Sequence, residues 1–166
     1  MEERIGACVL TMSTRASRKE REDKSGPALC DLISREGWEV VLYEVLPDDE
    51  KLLEAELVRI CNELSPHLIF TLGGTGLSPS DVTPEATAKV IQRPVPGIAE
   101  AIRFKSLEKT DRAMLSRGMS GAREQTLIVN LPGSERAVRE SFEIIRNALP
   151  HAVEIIHGKV IDCGRE

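Results

Sequence analysis

The chain has 166 residues, of which 41% are apolar and 30% are charged, and its formal net charge is −5; these values are typical of one globular domain with a real hydrophobic core. The acidic balance and the 3% aromatic content disfavour a nucleic-acid partner, because such proteins need basic and base-stacking side chains. No apolar run is long enough to predict a membrane span, and no signal peptide is predicted.

The first half of the chain alternates predicted strands with predicted helices. Apolar runs predict strands over residues 5–12, 39–45 and 68–70. Helices are predicted from Ser25 to a stop at Gly37, and from about Glu50 to Leu64, where leucine and isoleucine recur at spacings of three and four. The charged segment 13–24 is predicted to be a solvated loop, although a loop after a strand can also close over a ligand.

The second half continues the same alternation. Helices are predicted over 84–91, 98–107, 135–149 and 151–158, with one strand over 126–130. Thr83 and Ser134 are the expected N-caps of two of these helices, and Pro84 suits a first helical position. We expect a single domain over residues 1–158, followed by a flexible C-terminal tail over 159–166.

This alternation predicts an α/β fold with three layers, in which a largely parallel sheet carries helices on both faces. Ligands of such sheets bind at the carboxyl ends of the strands. Three strand ends carry polar residues, namely Asp48, the segment 73–81 and the segment 130–134. Their convergence makes Asp48 a candidate metal ligand or catalytic carboxylate, while the alternative is a helix-capping role in an acidic first turn.

The segment 71–87 carries the clearest local signal. Gly73, Gly74 and Gly76 follow a predicted strand and precede a predicted helix. Glycine allows positive φ and close approach of a ligand to the backbone, and a strand–loop–helix layout points N–H groups at an anion. The spacing matches neither a Walker A loop nor the dinucleotide-binding fingerprint.

The same segment contains Thr75 and Ser78, which add hydroxyl donors, and Asp81. A carboxylate beside a bound phosphate repels it unless a divalent cation lies between them, and Mg²⁺ is usually held by one or two carboxylates plus substrate phosphates. The segment therefore predicts binding of a magnesium nucleotide. The alternative is a tight turn followed by a capped helix.

Cysteine and histidine positions predict neither a disulfide framework nor a zinc site. The four cysteines are far apart and form no CxxC pair, which fits a reducing cytoplasm, and the three histidines lack ligand spacing. They are Cys8, Cys30, Cys61 and Cys163, and His67, His151 and His157.

Four motifs, in this order along the chain, resemble the molybdenum cofactor biosynthesis domain. They are Thr-Leu-Gly-Gly-Thr-Gly at 71–76, Asp-Val-Thr-Pro-Glu-Ala-Thr at 81–87, Met-Leu-Ser-Arg at 114–117 and Thr-Leu-Ile-Val-Asn-Leu-Pro-Gly-Ser at 126–134. The similarity runs from residue 5 to about residue 158. It is closest to the molybdopterin adenylyltransferases, which include Mog-type bacterial enzymes and the G domains of gephyrin and its plant counterpart.

The resemblance implies that AMP passes from Mg-ATP to the terminal phosphate of molybdopterin, with pyrophosphate as the second product. It implies that Asp48 and Asp81 are catalytic and hold Mg²⁺, although the adjacent Asp49 could share the role of Asp48. The implied nucleotide-binding residues are Gly73, Gly74, Thr75, Gly76 and Ser78. The implied molybdopterin-binding residues are Ser116, Arg117, Ser120, Asn130, Pro132, Gly133 and Ser134. For Arg117, a surface ion pair is the alternative to a phosphate contact.

One departure from the resemblance lies after the first strand, where many relatives carry Ser-Asp and this chain has Ser13-Thr14. Asp23, Ser25, Gly26 and Pro27 match the next motif. A non-catalytic molybdopterin carrier of the same fold is the main alternative function, and the nucleotide-hydrolysing domain of competence-damage proteins is a third. The resemblance also implies a homotrimer and hand-off of product to a molybdenum-insertion protein.

Overall fold

The structure, a computed structural model that describes residues 4–159, is built on a six-stranded sheet. The strands are β1 (Gly6–Met12), β2 (Glu39–Leu46), β3 (Leu68–Leu72), β4 (Arg93–Pro94), β5 (Ser120–Arg123) and β6 (Thr126–Leu131). Their order is β2-β1-β3-β6-β5-β4. The first four strands in this order run parallel, whereas β5 is antiparallel to β6 and β4 to β5. The predicted, largely parallel sheet is confirmed.

The described part of the chain also contains seven α-helices and one 3₁₀ helix. They are α1 (Thr14–Ser17), α2 (Ser25–Arg35), α3 (Glu50–Glu63), α4 (Thr83–Val90), α5 (Pro96–Ser106), the 3₁₀ helix Asp111–Leu115, α6 (Glu135–Ile145) and α7 (Leu149–Ile156). No helix within residues 4–159 is both long and apolar enough to span a membrane.

The core is divided by the sheet into two halves. Residues from α2, α5, α6 and α7 pack on one face, where the rings of Phe70 and Phe142 meet edge to face with centroids 6.0 Å apart. Residues from α3 and α4 pack on the other face, against Leu10 and Ile69. Both faces of the central strands are covered, which is why those strands are apolar throughout. The predicted three-layer arrangement is confirmed.

Some local expectations were wrong in detail. The segment 13–24 contains the short helix α1 as well as loop. Thr83 is the first residue of α4 and Val82 is its N-cap; the Thr83 hydroxyl donates to the Gly73 carbonyl at 2.9 Å instead of capping the helix. Ser134 does cap α6, since its Oγ accepts from the Ala137 N–H at 3.2 Å.

The sequence pattern did not predict β4 and β5, the two antiparallel strands. β4 is only two residues long and contains Pro94, while β5 contains Gly121, so neither shows the apolar alternation of a strand. Of the predicted tail, residues 160–166 lie outside the described residues; the Lys159 N–H donates to the Glu154 carbonyl at 2.9 Å.

Candidate functional site

The carboxyl ends of the parallel strands border a cavity of about 680 Å³, which we call the strand-end cavity. Six of the residues singled out in the sequence line it together: Asp48, Gly73, Gly74, Asp81, Gly133 and Ser134. They come from three different strand ends, as the topology of a parallel sheet requires. The three polar strand ends therefore do meet at one edge of the sheet.

Asp48 is held by Thr14 through three hydrogen bonds. The N–H and hydroxyl of Thr14 donate to Asp48 Oδ2 at 2.9 and 3.0 Å. The same hydroxyl oxygen is 3.0 Å from the Asp48 N–H, which donates to it. One carboxylate oxygen is thus fixed by the protein, and the carboxylate is oriented before any ligand binds.

The neighbouring carboxylate of Asp49 has a structural role at the start of α3. Its Oδ1 accepts from the Leu52 N–H at 2.9 Å and caps α3. Asp49 is exposed and is absent from the lining of the strand-end cavity, whereas Asp48 is half-buried and lines it. The structure therefore distinguishes Asp48, which the sequence favours, from the adjacent Asp49, which the sequence leaves as an alternative.

The glycine loop after β3 depends on its first two glycines. Gly73 has φ +92° and Gly74 has φ +66°, values that L side chains rarely adopt. A Cβ on Gly73 would lie 2.9 Å from the Met12 carbonyl oxygen, and one on Gly74 would collide with Thr83 Oγ1. Because the Thr83 N–H also donates to the Gly74 carbonyl at 3.1 Å, the loop is fixed at the start of α4.

Asp81 closes a small turn at the far end of this loop. Its Oδ2 accepts from the Ser78 N–H at 3.0 Å, and its own N–H donates to the Ser78 carbonyl at 2.9 Å. The Ser78 side chain is exposed, lies 3.0 Å from Ser80 Oγ, and does not line the strand-end cavity. The turn presents the Asp81 carboxylate to the cavity.

Arg117 stabilises the same loop by hydrogen bonds to its backbone. Its Nε donates to the Gly76 carbonyl and its Nη2 to the Asp81 carbonyl, both at 2.7 Å, while the guanidinium pairs with Glu85. The hydrogen bond from Arg117 lowers the pKa of the Glu85 carboxyl below its ordinary value. The guanidinium thus holds the loop backbone as well as forming the ion pair that the sequence offered as an alternative role.

Ser120 and Asn130 lie in the interior. The side chain of Asn130 is buried, and the residue is 3% exposed. Its Nδ2 donates to Thr71 Oγ1 at 2.8 Å and to Thr87 Oγ1 at 2.9 Å, and its Oδ1 accepts from the Met119 N–H at 3.2 Å. The Ser120 hydroxyl donates to the Val95 carbonyl at 2.6 Å. Both side chains have protein partners, and their predicted ligand contacts remain predictions.

A second recess lies on the other side of the glycine loop, between α5, the 3₁₀ helix and α6. This α5 groove has a volume of about 330 Å³ and contains four further predicted residues: Thr75, Gly76, Ser116 and Pro132. The predicted nucleotide set and the predicted molybdopterin set are each divided between the cavity and the groove. The segment 73–76 separates the two recesses.

The charged segment before α2 contributes residues that the sequence did not single out as ligands. Arg21, Lys24 and Ser25 line the strand-end cavity, and the Ser25 hydroxyl donates to the Gly133 carbonyl at 2.6 Å. Asp23 Oδ1 accepts from the N–H groups of Ser25 and Gly26 at 3.0 and 3.1 Å, which anchors the segment to α2. The sequence signal that could have identified these cavity residues was the match of residues 23–27 to a motif of the resembled family.

The Asp23 carboxylate also receives a hydrogen bond from the Tyr43 hydroxyl on β2 at 2.6 Å. Burial and this carboxylate raise the pKa of Tyr43 above its ordinary value. A Cβ on Gly26 would lie 2.5 Å from Asp23 Oδ2 and would also collide with the Tyr43 ring. The wall of the cavity formed by the start of α2 is therefore tightly packed and resists substitution.

Comparison with known proteins identifies the family. Residues 8–151 match the model of a family described as probable molybdopterin binding domain. The chain is 40% identical over 156 residues to a molybdopterin adenylyltransferase of Helicobacter pylori, with 90% of this chain and 86% of that protein covered. It is 38% identical over 161 residues to gephyrin of Dictyostelium discoideum, covering 91% of this chain and 22% of gephyrin.

Among solved structures, the fold is similar to that of the molybdopterin biosynthesis enzyme MoaB from Thermus thermophilus. The TM-score is 0.88 at 41% sequence identity, with 95% of this chain and 99% of that chain covered. The family match spans most of the sequence, and both curated relatives cover about nine-tenths of it. The chain therefore belongs to the family of probable molybdopterin-binding domains of molybdenum cofactor biosynthesis.

Proposed function

We propose that the protein is a molybdopterin adenylyltransferase, which transfers AMP from ATP to the phosphate of molybdopterin. The single observation that carries the proposal is the meeting of Asp48, Asp81 and the glycine loop in one cavity. The 40% identity to a protein of that name over 90% of the chain supports it. Two carboxylates beside a glycine turn suit a reaction between phosphate groups better than they suit acyl or hydride chemistry.

The reaction joins the molybdopterin phosphate to the α-phosphorus of ATP. A phosphate oxygen of molybdopterin forms the new P–O bond, the bond between the α-phosphorus and the bridging oxygen breaks, and pyrophosphate leaves with the electron pair. The attacking phosphate is already an anion, so no general base is needed. The protein contributes by orienting the two anions in line and by offsetting their repulsion.

The two aspartates fit a magnesium ion. Asp48 and Asp81 each commit Oδ2 to a hydrogen bond from the protein, with Thr14 and Ser78 respectively. Mg²⁺ typically takes one or two carboxylates and fills its remaining positions with phosphate oxygens and water. No group of three or more His, Cys, Asp or Glu within residues 4–159 could hold a metal by itself. When bound here, the ion neutralises charge on the reacting phosphates.

The glycine loop lies between the recesses and gives each substrate access to its backbone. We assign the reacting phosphates to the strand-end cavity, next to Asp48, Asp81 and the glycines at 73 and 74. Thr75, Gly76 and Ser78 complete the nucleotide side. Ser116, Pro132, Gly133 and Ser134 border the molybdopterin, while Arg117, Ser120 and Asn130 support the site through the partners described above.

Assembly as a homotrimer is part of the proposal. Large apolar side chains are exposed on α5 and the adjoining 3₁₀ helix, with Phe104 at 71% and Met114 at 62% exposure. Such a concentration of exposed apolar surface is typical of a protein–protein interface. A cytoplasmic location is also part of the proposal and agrees with the free, buried thiols of Cys8 and Cys61. After its synthesis, the adenylylated molybdopterin would be handed to a molybdenum-insertion protein.

Turnover tests the function directly. Purified protein is incubated with molybdopterin, ATP and Mg²⁺, and adenylylated molybdopterin and pyrophosphate are quantified, with a reaction lacking molybdopterin as control. The proposal predicts equal amounts of both products and no pyrophosphate in the control. Tight molybdopterin binding without pyrophosphate would instead establish a carrier protein, and pyrophosphate or phosphate release without molybdopterin would indicate nucleotide hydrolysis.

A further inference from the structure

One buried hydroxyl in the strand-end cavity has no partner. Thr11 lies near the carboxyl end of β1, lines the cavity and is 5% exposed. Its Oγ1 makes no hydrogen bond with any group of residues 4–159. Buried hydroxyls in folded proteins are almost always hydrogen-bonded, and an unpaired one lowers stability. A cost of this kind is typical of residues that are kept for function.

The position of Thr11 on its strand places it beside the start of two helices. Side chains of a strand alternate between faces, and Ala7 and Val9 pack in the core half that contains α2 and α6. Thr11 is on the same face, two residues further along. Ser25 at the start of α2 and Glu135 at the start of α6 line the same cavity. The amino-terminal ends of both helices favour a negatively charged ligand there.

Two cationic side chains of the cavity lining also favour an anion beside Thr11, whereas Asp48 and Asp81 in the same lining admit a phosphate only with the proposed magnesium ion between them. Arg21 and Lys24 line the cavity, and neither forms an ion pair with a carboxylate of the described chain. Two of the nearby acids are compensated: Asp23 by the N–H groups of α2, and Glu135 by Arg139 at 3.1 Å. Glu22 is at the exposed rim.

We propose that Thr11 Oγ1 donates a hydrogen bond to a phosphate oxygen of the bound substrate. This inference rests on the proposed function, because both substrates of an adenylyl transfer carry phosphate. Thr11 would then be a substrate-binding residue on the sheet itself, in the same cavity as Arg21 and Lys24. No bond to Thr11 is made or broken in the reaction.

The test compares Thr11→Val with Thr11→Ser. Valine keeps the branched shape and the strand preference of threonine but lacks the hydroxyl, whereas serine keeps the hydroxyl. Thermal unfolding of each free protein is measured, together with equilibrium binding of Mg-ATP and, separately, of molybdopterin. Binding constants are needed because turnover alone would not separate a substrate contact from a general defect.

The valine variant is expected to unfold at the same temperature as the wild type or higher, because it removes an unpaired buried hydroxyl. Its dissociation constant for the substrate whose phosphate Thr11 contacts should rise about tenfold or more, the loss typical of a hydrogen bond to a charged group. The serine variant should bind within a few-fold of wild type. Weakening of Mg-ATP alone identifies the nucleotide phosphate, and weakening of molybdopterin alone identifies the pterin phosphate.

Two results would overturn the inference. Unchanged binding of both substrates by Thr11→Val would remove Thr11 from the site. A fall of several degrees in its unfolding temperature would mean that the hydroxyl has a structural partner, such as an ordered water. These failures are distinguishable from failure of the proposed function, since in that case the wild-type protein itself forms no adenylylated molybdopterin.

Discussion

Two polar regions next to the glycine loop differ in how their groups are paired. In the interior, around Asn130, the amide donates two hydrogen bonds and accepts one, and each partner is a protein group. In the strand-end cavity, the buried Thr11 Oγ1 has no partner within residues 4–159, and the exposed Arg21 and Lys24 form no ion pair with a described residue. Paired buried polar groups specify a fold, whereas unpaired ones are typical of ligand sites. We therefore propose a structural role for Asn130 and a ligand-binding role for Thr11.

Removing the cavity carboxylates should give the largest effect. Asp48→Asn and Asp81→Asn each keep the shape of the side chain but remove a charge next to the reacting phosphates, so we expect kcat for adenylylation to fall by about a hundredfold or more. Stability should change little, as measured by urea unfolding. Asp49→Asn is the matched control: it removes a charge one residue away and retains an N-capping side chain, so its turnover should match wild type. Equal losses at 48 and 49 would contradict the separation of the two acids.

Removing the Asn130 side chain from the interior hydrogen-bonded region should reduce stability more than it reduces activity. Asn130→Ala removes the hydrogen bonds that Asn130 makes with Thr71 Oγ1, Thr87 Oγ1 and the Met119 N–H. The Thr87 hydroxyl keeps its hydrogen bond to the Thr83 carbonyl. We expect the free energy of unfolding to fall by about 2–3 kcal/mol, measured by urea denaturation, with the KM for molybdopterin close to wild type. A large rise in KM at unchanged stability would instead establish Asn130 as a direct molybdopterin ligand.

Loosening the hold on Asp48 should give an intermediate effect. Thr14→Val removes the hydroxyl that both donates to and accepts from Asp48. Loss of such an orienting partner typically costs about 10–100-fold in metal affinity or activity, so the Mg²⁺ concentration for half-maximal turnover should rise by about tenfold or more. Thr14→Ser retains the hydroxyl and should restore the wild-type requirement. An unchanged Mg²⁺ requirement in the valine variant would show that Asp48 needs no tether.

The smallest effect concerns Glu85, the partner of Arg117. Its pKa is lowered in the folded protein by the hydrogen bond from Arg117. The pair therefore contributes stability above the ordinary glutamate pKa of about 4.3, and this contribution is lost as the pH falls through the lower folded-state pKa. Because the Glu85 side chain is 43% exposed, Glu85→Gln should cost less than about 1 kcal/mol at pH 7.

Thermal unfolding of wild type and Glu85→Gln between pH 7 and pH 3 checks this prediction. The difference between the two proteins should shrink toward acid pH, and it should also shrink in 1 M salt, where ion pairs at exposed positions are screened. A difference that grows as the pH falls would have the wrong sign for a lowered carboxyl pKa.

The sequence was sufficient for the parts of the fold that depend on local patterns. Apolar runs located the four parallel strands, and the rule that ligands bind at strand ends brought Asp48 and Asp81 to one place. β4 and β5 were not predicted because they are short and contain Pro94 and Gly121.

The local cap of α6 by Ser134 was predicted, but the roles of polar residues whose partners are distant in sequence could not be. Asn130 bonds Thr71, 59 positions away, and Thr14 bonds Asp48, 34 positions away. Nothing in the local pattern distinguishes a hydroxyl that finds such a partner from Thr11, which does not. The assignment of Asp49 to the α3 cap likewise depends on where the chain turns after β2.

The proposed site is tested most directly by a crystal structure of the protein with Mg²⁺ and an ATP analogue whose bond between the α- and β-phosphates cannot be cleaved. We expect the phosphates to lie in the strand-end cavity, against the turn at Gly73 and Gly74, with the metal ion between them and the carboxylates of Asp48 and Asp81. Phosphates bound in the α5 groove, or a metal ion that contacts neither aspartate, would contradict this assignment.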